Sequence, residues 1–177
     1  GRKASDYAAS VALGEVERRQ IDDEIQRLYA PMYRTEGVTW KELNFAISKA
    51  MQNYCGGVKC DALLNEGVDL LKSYRCDIVQ LYCFNPHDLM RTHEVLDILD
   101  VAEMILQACL LRKSSSKQLC FERSDYPEMD PPEDHHFITI RQENGRIVRG
   151  DIPGDYFGDL ETEYENRNQD YIGGENG

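Results

Sequence analysis

No stretch of this chain approaches the run of about 20 apolar residues that a membrane helix takes, and the opening "GRKASDYAAS" lacks the apolar core of a signal peptide. The expectation is a soluble, unprocessed segment with no direct membrane insertion. Nucleotide-binding loops are missing as well: none of the 13 glycines makes G-x-G-x-x-G or G-x-x-x-x-G-K. Any dinucleotide associated with these residues has to be held mostly by other protein. There is no C-x-x-C among the six cysteines, Cys55, Cys60, Cys76, Cys83, Cys109 and Cys120. Several fall on apolar faces of predicted helices, so reduced, buried thiols in a cytoplasmic setting are expected rather than disulfides or a metal cage. Positive charge is scarce near the end: Glu122 to Gly177 holds 15 acids against 5 Lys or Arg, which is −10 of the total −12. A field of that sign repels phosphate backbones and anionic membranes, so the expected partner is a basic protein patch and not nucleic acid.

What remains is a chain of 177 residues, 41% hydrophobic, long enough for one domain with a real core, or a domain plus a trailing segment. Helical spacing runs through Ala4, Ala8, Val11 and Ala12, then through Ile21, Ile25, Leu28 and Met32, with Gly14 marking a break. Thr39 and Glu42 form a T-x-x-E capping box ahead of a helix with Leu43, Ile47, Ala50, Met51 and Tyr54 on one face, stopped by Gly56 and Gly57. A further helix is predicted over Asp61 to Leu81. Asn85 and Pro86 then cap and open a long one to Lys113, whose "VLDILDVAEMILQACLL" is apolar on most sides and so predicts a central, deeply buried position.

After Cys120 the period changes. Pro127, Pro131 and Pro132 forbid a continuous helix, and "HFITIRQENGRIVRGDIP" alternates like two strands about Asn144-Gly145. The fold class expected is mainly α: an antiparallel bundle of three to four main helices, a short β-hairpin and an extended acidic tail. The divisions fall at residues 1–34, 35–120 and 121–177.

Motifs that carry chemistry are few. His93, Glu94 and Asp97 make a broken H-E-x-x-H, better read as a hydrogen-bonded or surface-facing helical histidine than as a metal site. Glu133, Asp134, His135 and His136 are adjacent, and neighbours entering a strand face opposite ways, so a solvated strand entrance is the plainer reading. Arg149-Gly150-Asp151 reads as a strand end. Ser114, Ser115 and Ser116 read as helix-terminating residues, since nothing brings a base to them. No catalytic, cofactor-binding or metal-ligating residue emerges. Arg112, Lys113 and Arg123, alternating with Asp125 and Glu128 around Tyr126, suit either a helix dipole or a partner-docking surface.

Three stretches together resemble the C-terminal region of the succinate dehydrogenase, fumarate reductase and adenylylsulfate reductase flavoprotein subunits. "GRKASDYAA" is similar to the G-R-x-A-G-x-x-A-A helix that closes the flavin domain, with Ser5 where a second glycine is usual. "HEVLDILDVAEMILQACLLRK" resembles the family's long helix, and "FERSDYPEMDPPEDHHFITI" its strap from the bundle into a strand. Family members often continue Arg-Lys-Glu-Ser-Arg-Gly after the long helix, where Arg112 and Lys113 are here followed by Ser114, Ser115, Ser116 and Lys117. The resemblance implies a parent flavoenzyme holding FAD in an N-terminal domain, with substrate residues there and in a capping domain. It also implies an iron-sulfur partner subunit, and a buttressing and docking role for the present residues, inactive alone. The rival expectation is a stand-alone helical interaction module whose acidic tail binds a basic partner.

Overall fold

The computed structural model describes residues 1–12, 14, 16–117, 119–129, 136–144, 146–153, 156, 158, 159 and 162, with His136 by its backbone alone. The helices are α1 (Arg2–Ser10), α2 (Arg18–Tyr29), α3 (Trp40–Tyr54), α4 (Asp61–Asp77) and α5 (Pro86–Leu111). The strands are β1 (Val58–Lys59), β2 (Glu122–Arg123), β3 (His136–Glu143) and β4 (Arg146–Pro153). The mainly α architecture with a hairpin is as expected from the sequence.

Local chemistry sets the helix starts. Thr39 and Glu42 form the capping box: the Thr39 amide donates to Glu42 Oε2 at 2.8 Å, and the Glu42 amide donates to Thr39 Oγ1 at 3.4 Å. Asn85 Oδ1 accepts from the Asp88 amide at 2.9 Å, with Pro86 in the first turn of α5. Trp40 Nε1 donates to Asp88 Oδ1 at 3.1 Å, so α3 and α5 begin side by side. Their ends also meet, where the Cys55 and Cys109 sulfurs lie 3.9 Å apart. These two helices therefore run parallel, and α4 returns antiparallel against both.

Between them Leu43, Ile47, Leu64, Val68, Leu71, Leu99 and Leu106 form the core, joined by Leu81 from the α4–α5 connection. Gly67 allows the close approach: a Cβ there would lie 2.8 Å from Tyr54 Cβ and 3.2 Å from Leu106 Cδ1. Helix α4 is shorter than the periodicity predicts. It ends at Asp77 and tightens into a 3-10 turn, Ile78–Gln80, which turns Leu81 inward against Val38. The Val38 amide donates to the Gln80 carbonyl and the Tyr82 amide to the Val38 carbonyl, each at 2.9 Å, with Gly37 entering at φ 148°.

The expected deep burial of α5 is corrected. Helix α5 buries one face, Leu89, Thr92, Val95, Leu99, Ala102, Leu106 and Cys109, while Ile98, Val101, Met104 and Ile105 on other faces are each more than 40% exposed. It is apolar on most sides without being covered on most sides. Helices α1 and α2 bury none of their residues, and Ile21 and Ile25 of the predicted apolar face are exposed. The thiols also divide: Cys83 and Cys109 are buried, Cys55 and Cys60 half-buried, and Cys76 and Cys120 exposed, all six free.

The hairpin pairs antiparallel from His136↔Pro153 to Glu143↔Arg146, the register expected around Asn144, whose φ is 51°. Gly145, Pro131, Pro132, Glu133, Asp134 and His135, and most of the acidic tail, lie outside the described residues. Arg149 and Asp151 pair within β4 at 2.7 Å, and Arg149 also donates to the Leu111 carbonyl at 3.2 Å, which ties the hairpin to the end of α5.

Candidate docking site

Beyond Leu111 the chain turns back over the bundle, and β2 pairs in parallel with β1 through Val58↔Glu122 and Lys59↔Arg123. That pairing carries the Arg123 side chain inward between the first turn of α4 and the last turn of α5, where it is 0% exposed. A guanidinium has five N–H donors, and each is used. Nε donates to Asp125 Oδ1 and Nη2 to Asp125 Oδ2, both at 2.8 Å, a bidentate pair. The second Nη2 hydrogen goes to Asp61 Oδ1, and Nη1 donates to the Cys109 and Arg112 carbonyls at 2.7 and 2.9 Å.

Helix ends explain why those acceptors are there. The last carbonyls of a helix have no partner within it, and Arg123 supplies donors to two groups at the close of α5. The first amides of a helix are equally bare, and the Asp61 amide donates to Asp125 Oδ2 at 2.7 Å. One Arg-Asp pair thus caps two helices at once. Lys113 reinforces it with hydrogen bonds to Asp61 Oδ1 and Oδ2 at 2.8 and 2.7 Å. Lys113 and Arg123 both lie over the Tyr126 ring, at 4.8 and 4.9 Å from its centroid, and the Tyr126 hydroxyl donates to Asp61 Oδ2 at 3.3 Å.

Of the six residues predicted for docking, Arg112, Lys113, Arg123, Asp125 and Tyr126 converge here. Glu128 joins through its carbonyl, which accepts from the Ser115 amide at 2.8 Å. The Arg123 guanidinium presents nothing outward, a correction to its expected place on a docking surface, because every donor is satisfied inside the chain. Lys113, Asp125 and Glu128 form the exposed rim. Arg112 and Lys113 do not sit in the last turn of α5, which stops at Leu111. Arg112 packs over the Phe121 ring at 5.7 Å instead.

Sequence reasoning missed Asp61, seen only as a helix start, and, though it placed the serines at the end of the long helix, missed their burial. Ser115 and Ser116 are buried: Ser115 Oγ accepts from the Arg123 amide and donates to the Tyr126 carbonyl, each at 2.9 Å, and Ser116 pairs both ways with Phe121. The available signal was the departure from the family's usual run at Ser114 to Lys117. Of the two readings of His93, hydrogen-bonded or surface-facing, the structure has the first, its Nε2 3.0 Å from the Leu28 carbonyl. No group of three or more ligand residues suited to a metal occurs among the described residues. No helix among them is long and apolar enough to cross a membrane.

The cations beside them hold the Asp125 and Asp61 carboxyls below the usual carboxylate range, Arg123 chiefly for Asp125 and Lys113 chiefly for Asp61. Groups lowered on folding contribute stability that is complete above the unfolded value, ordinarily 3.8, and lost as pH falls through the lower folded values. Urea midpoints should therefore stay level down to about pH 5 and drop below about pH 4. An Asp61→Asn, Asp125→Asn double variant should flatten that drop, and an unaltered drop would assign it to other carboxylates.

The sequence profile described as fumarate reductase flavoprotein C-term matches residues 45–148, more than half of the chain. The chain belongs to that family. Adenylylsulfate reductase from Archaeoglobus fulgidus superposes on this flavoprotein C-terminal chain with a TM-score of 0.73 at 20% identity, over 80% of this chain and 25% of its own. Mycobacterium smegmatis Sdh1 gives a TM-score of 0.66 at 18% identity, covering 85% and 26% of the two chains. FrdA of E. coli quinol fumarate reductase gives 0.67 at 20%, covering 85% and 27%. Such identities establish a shared fold, and the chain spans about a quarter of the length of these structures. No curated protein matches it. The matched residues include α4, α5 and the Arg123 clasp, so the clasp lies within the family's own fold unit.

Proposed function

We propose that this chain is the C-terminal helical domain of an FAD-dependent oxidoreductase that buttresses the flavin-binding domain and docks an iron-sulfur partner. The family match over residues 45–148 carries this reading. In it, residues 1–34 close the flavin domain and connect it to the bundle, residues 35–120 form the buttress, and residues 121–177 are strap, hairpin and tail. The exposed apolar residues of α2 and of α5, Ile21, Ile25, Ile98, Val101 and Ile105, are the kind of surface that further protein covers.

The flavin and capping domains supply FAD and the substrate residues. The reaction is hydride exchange between flavin and a small acidic substrate, or reduction of an oxidised sulfur compound, in the cytoplasm. Electrons pass through iron-sulfur clusters of the partner. That partner docks on the exposed rim of Lys113, Asp125 and Glu128, beside Tyr126 and Arg112, with Arg123 fixing Asp125, Tyr126 and the Arg112 carbonyl from within.

The native protein's intact mass and visible spectrum test this. A chain several hundred residues longer, with flavin absorbance, is the expected result. A native protein no larger than these residues and free of flavin would favour the stand-alone interaction module. Tight FAD binding or fumarate turnover by residues 1–177 alone would overturn the division of labour.

A further inference from the structure

At the parallel ends of α3 and α5, Cys55 and Cys109 face each other across 3.9 Å between sulfurs, though 54 residues separate them in sequence. Cys109 is buried in the last turn of α5, fixed by the helix and by Arg123, whose Nη1 donates to its carbonyl at 2.7 Å. Cys55 is the residue at which α3 ends, its amide donating to the Met51 carbonyl at 2.9 Å, and Gly56 and Gly57 follow it. One sulfur thus sits inside the last helical turn while the other sits half-buried at a helix end followed by two glycines. A disulfide has an S–S bond of about 2 Å, so bond formation needs the sulfurs to close by roughly 2 Å. Gly56 and Gly57, without side chains, give the chain at the end of α3 the widest range of backbone angles for that approach.

The thiols also differ chemically. The hydrogen bond from Cys109, with the nearby Lys59 ammonium adding to it, draws the Cys55 thiol down to about 7. The hydrogen bond with Cys55, and after it burial, push the Cys109 thiol up, so it keeps its proton. The four other cysteines have no second sulfur recorded within hydrogen-bonding distance.

We propose that Cys55 and Cys109 are a peroxide-responsive dithiol, with Cys55 the attacking thiolate and Cys109 the resolving thiol, closing to a disulfide that staples α3 to α5. The Cys55 thiolate attacks one oxygen of hydrogen peroxide and the O–O bond breaks. Cys55 becomes a sulfenic acid, and the departing hydroxide takes up the proton that Cys55 had released, giving water. The Cys109 sulfur then attacks the Cys55 sulfur. The S–O bond breaks, and the leaving hydroxide takes the Cys109 proton to give a second water. Two thiols lose two electrons in total, and the peroxide gains them. Transient disulfides of this kind are the sort that reducing compartments permit.

The test treats the native full-length protein with equimolar hydrogen peroxide, unfolds it in iodoacetamide, digests it without reductant and maps the cysteines by mass spectrometry. A Cys55–Cys109 cross-linked peptide that vanishes on reduction with dithiothreitol is expected. In Cys109→Ala the cross-link disappears and Cys55 is trapped as a sulfenic acid by dimedone. In Cys55→Ser, Cys109 stays alkylated at the level of untreated protein, a readout that does not depend on how well the first variant folds. Recovery of both residues as carbamidomethyl cysteine while the exposed Cys76 or Cys120 is oxidised would overturn the proposal, and so would a cross-link from Cys55 to any other cysteine. None of these outcomes depends on flavin content, so they stand apart from the proposed function.

Discussion

Replacing Arg123 with alanine should cost about 3 kcal/mol of folding stability, measured as a fall in the urea midpoint. Five hydrogen bonds disappear at once, and the carbonyls of Cys109 and Arg112 lose a buried donor. The cost lies at the low end for a broken buried ion pair because Asp61 and Asp125 are 36% and 28% exposed and recover water when the cation is gone. Arg123→Lys should restore little. An ammonium is a point donor and cannot span the Asp125 carboxylate bidentately while also reaching two carbonyls and Asp61. A loss under about 1 kcal/mol for the alanine variant, or full rescue by lysine, would show that the clasp contributes only as an ordinary surface pair.

Gly37→Ala is expected to be as damaging, by roughly 3 kcal/mol, through sterics alone. A Cβ at this position would sit 2.1 Å from the Gln80 carbonyl oxygen, and the backbone is held at φ 148°, which side-chain-bearing residues rarely adopt. The obstacle is main chain, so no rotamer change relieves it. Relief means separating Val38 from Gln80 and Tyr82, which withdraws Leu81 from the core. Gly57→Ala is the matched control, because nothing lies within 4 Å of a Cβ there, and its midpoint should move by less than about 0.5 kcal/mol in equivalent stability. Equal effects at the two glycines would refute the steric account.

The helical scaffold was legible because its signals are local. The Thr39–Glu42 capping box, Asn85 with Pro86, and the apolar spacing of Leu43 and Ile47 each act within one or two turns, and the structure realises all of them. Burial on a particular face of α5 was not legible, since Leu99 and Ile98 are both apolar and only the neighbouring helices distinguish them. The clasp was half legible. Charges of both signs around Tyr126 marked the place, but their principal partner, Asp61, is 62 residues from Arg123, and no periodicity reports a pairing of that span. The serines were half legible for the same reason: reading them as helix-terminating fits the end of α5 at Leu111, but it gave no sign that a carbonyl and an amide from residues 126 and 123 bury Ser115.

The acceptors around Arg123 come from separate stretches: the beginning of α4, the end of α5 and the strap itself. No two of the three suffice to satisfy the guanidinium, so it cannot be buried at low cost until α4 and α5 are already aligned. Release of the strap should therefore take less free energy than unfolding of the bundle beneath it. Amide hydrogen exchange at Ser115 and Arg123 is expected to follow the opening of this latch, and that at Leu99 the opening of the whole bundle.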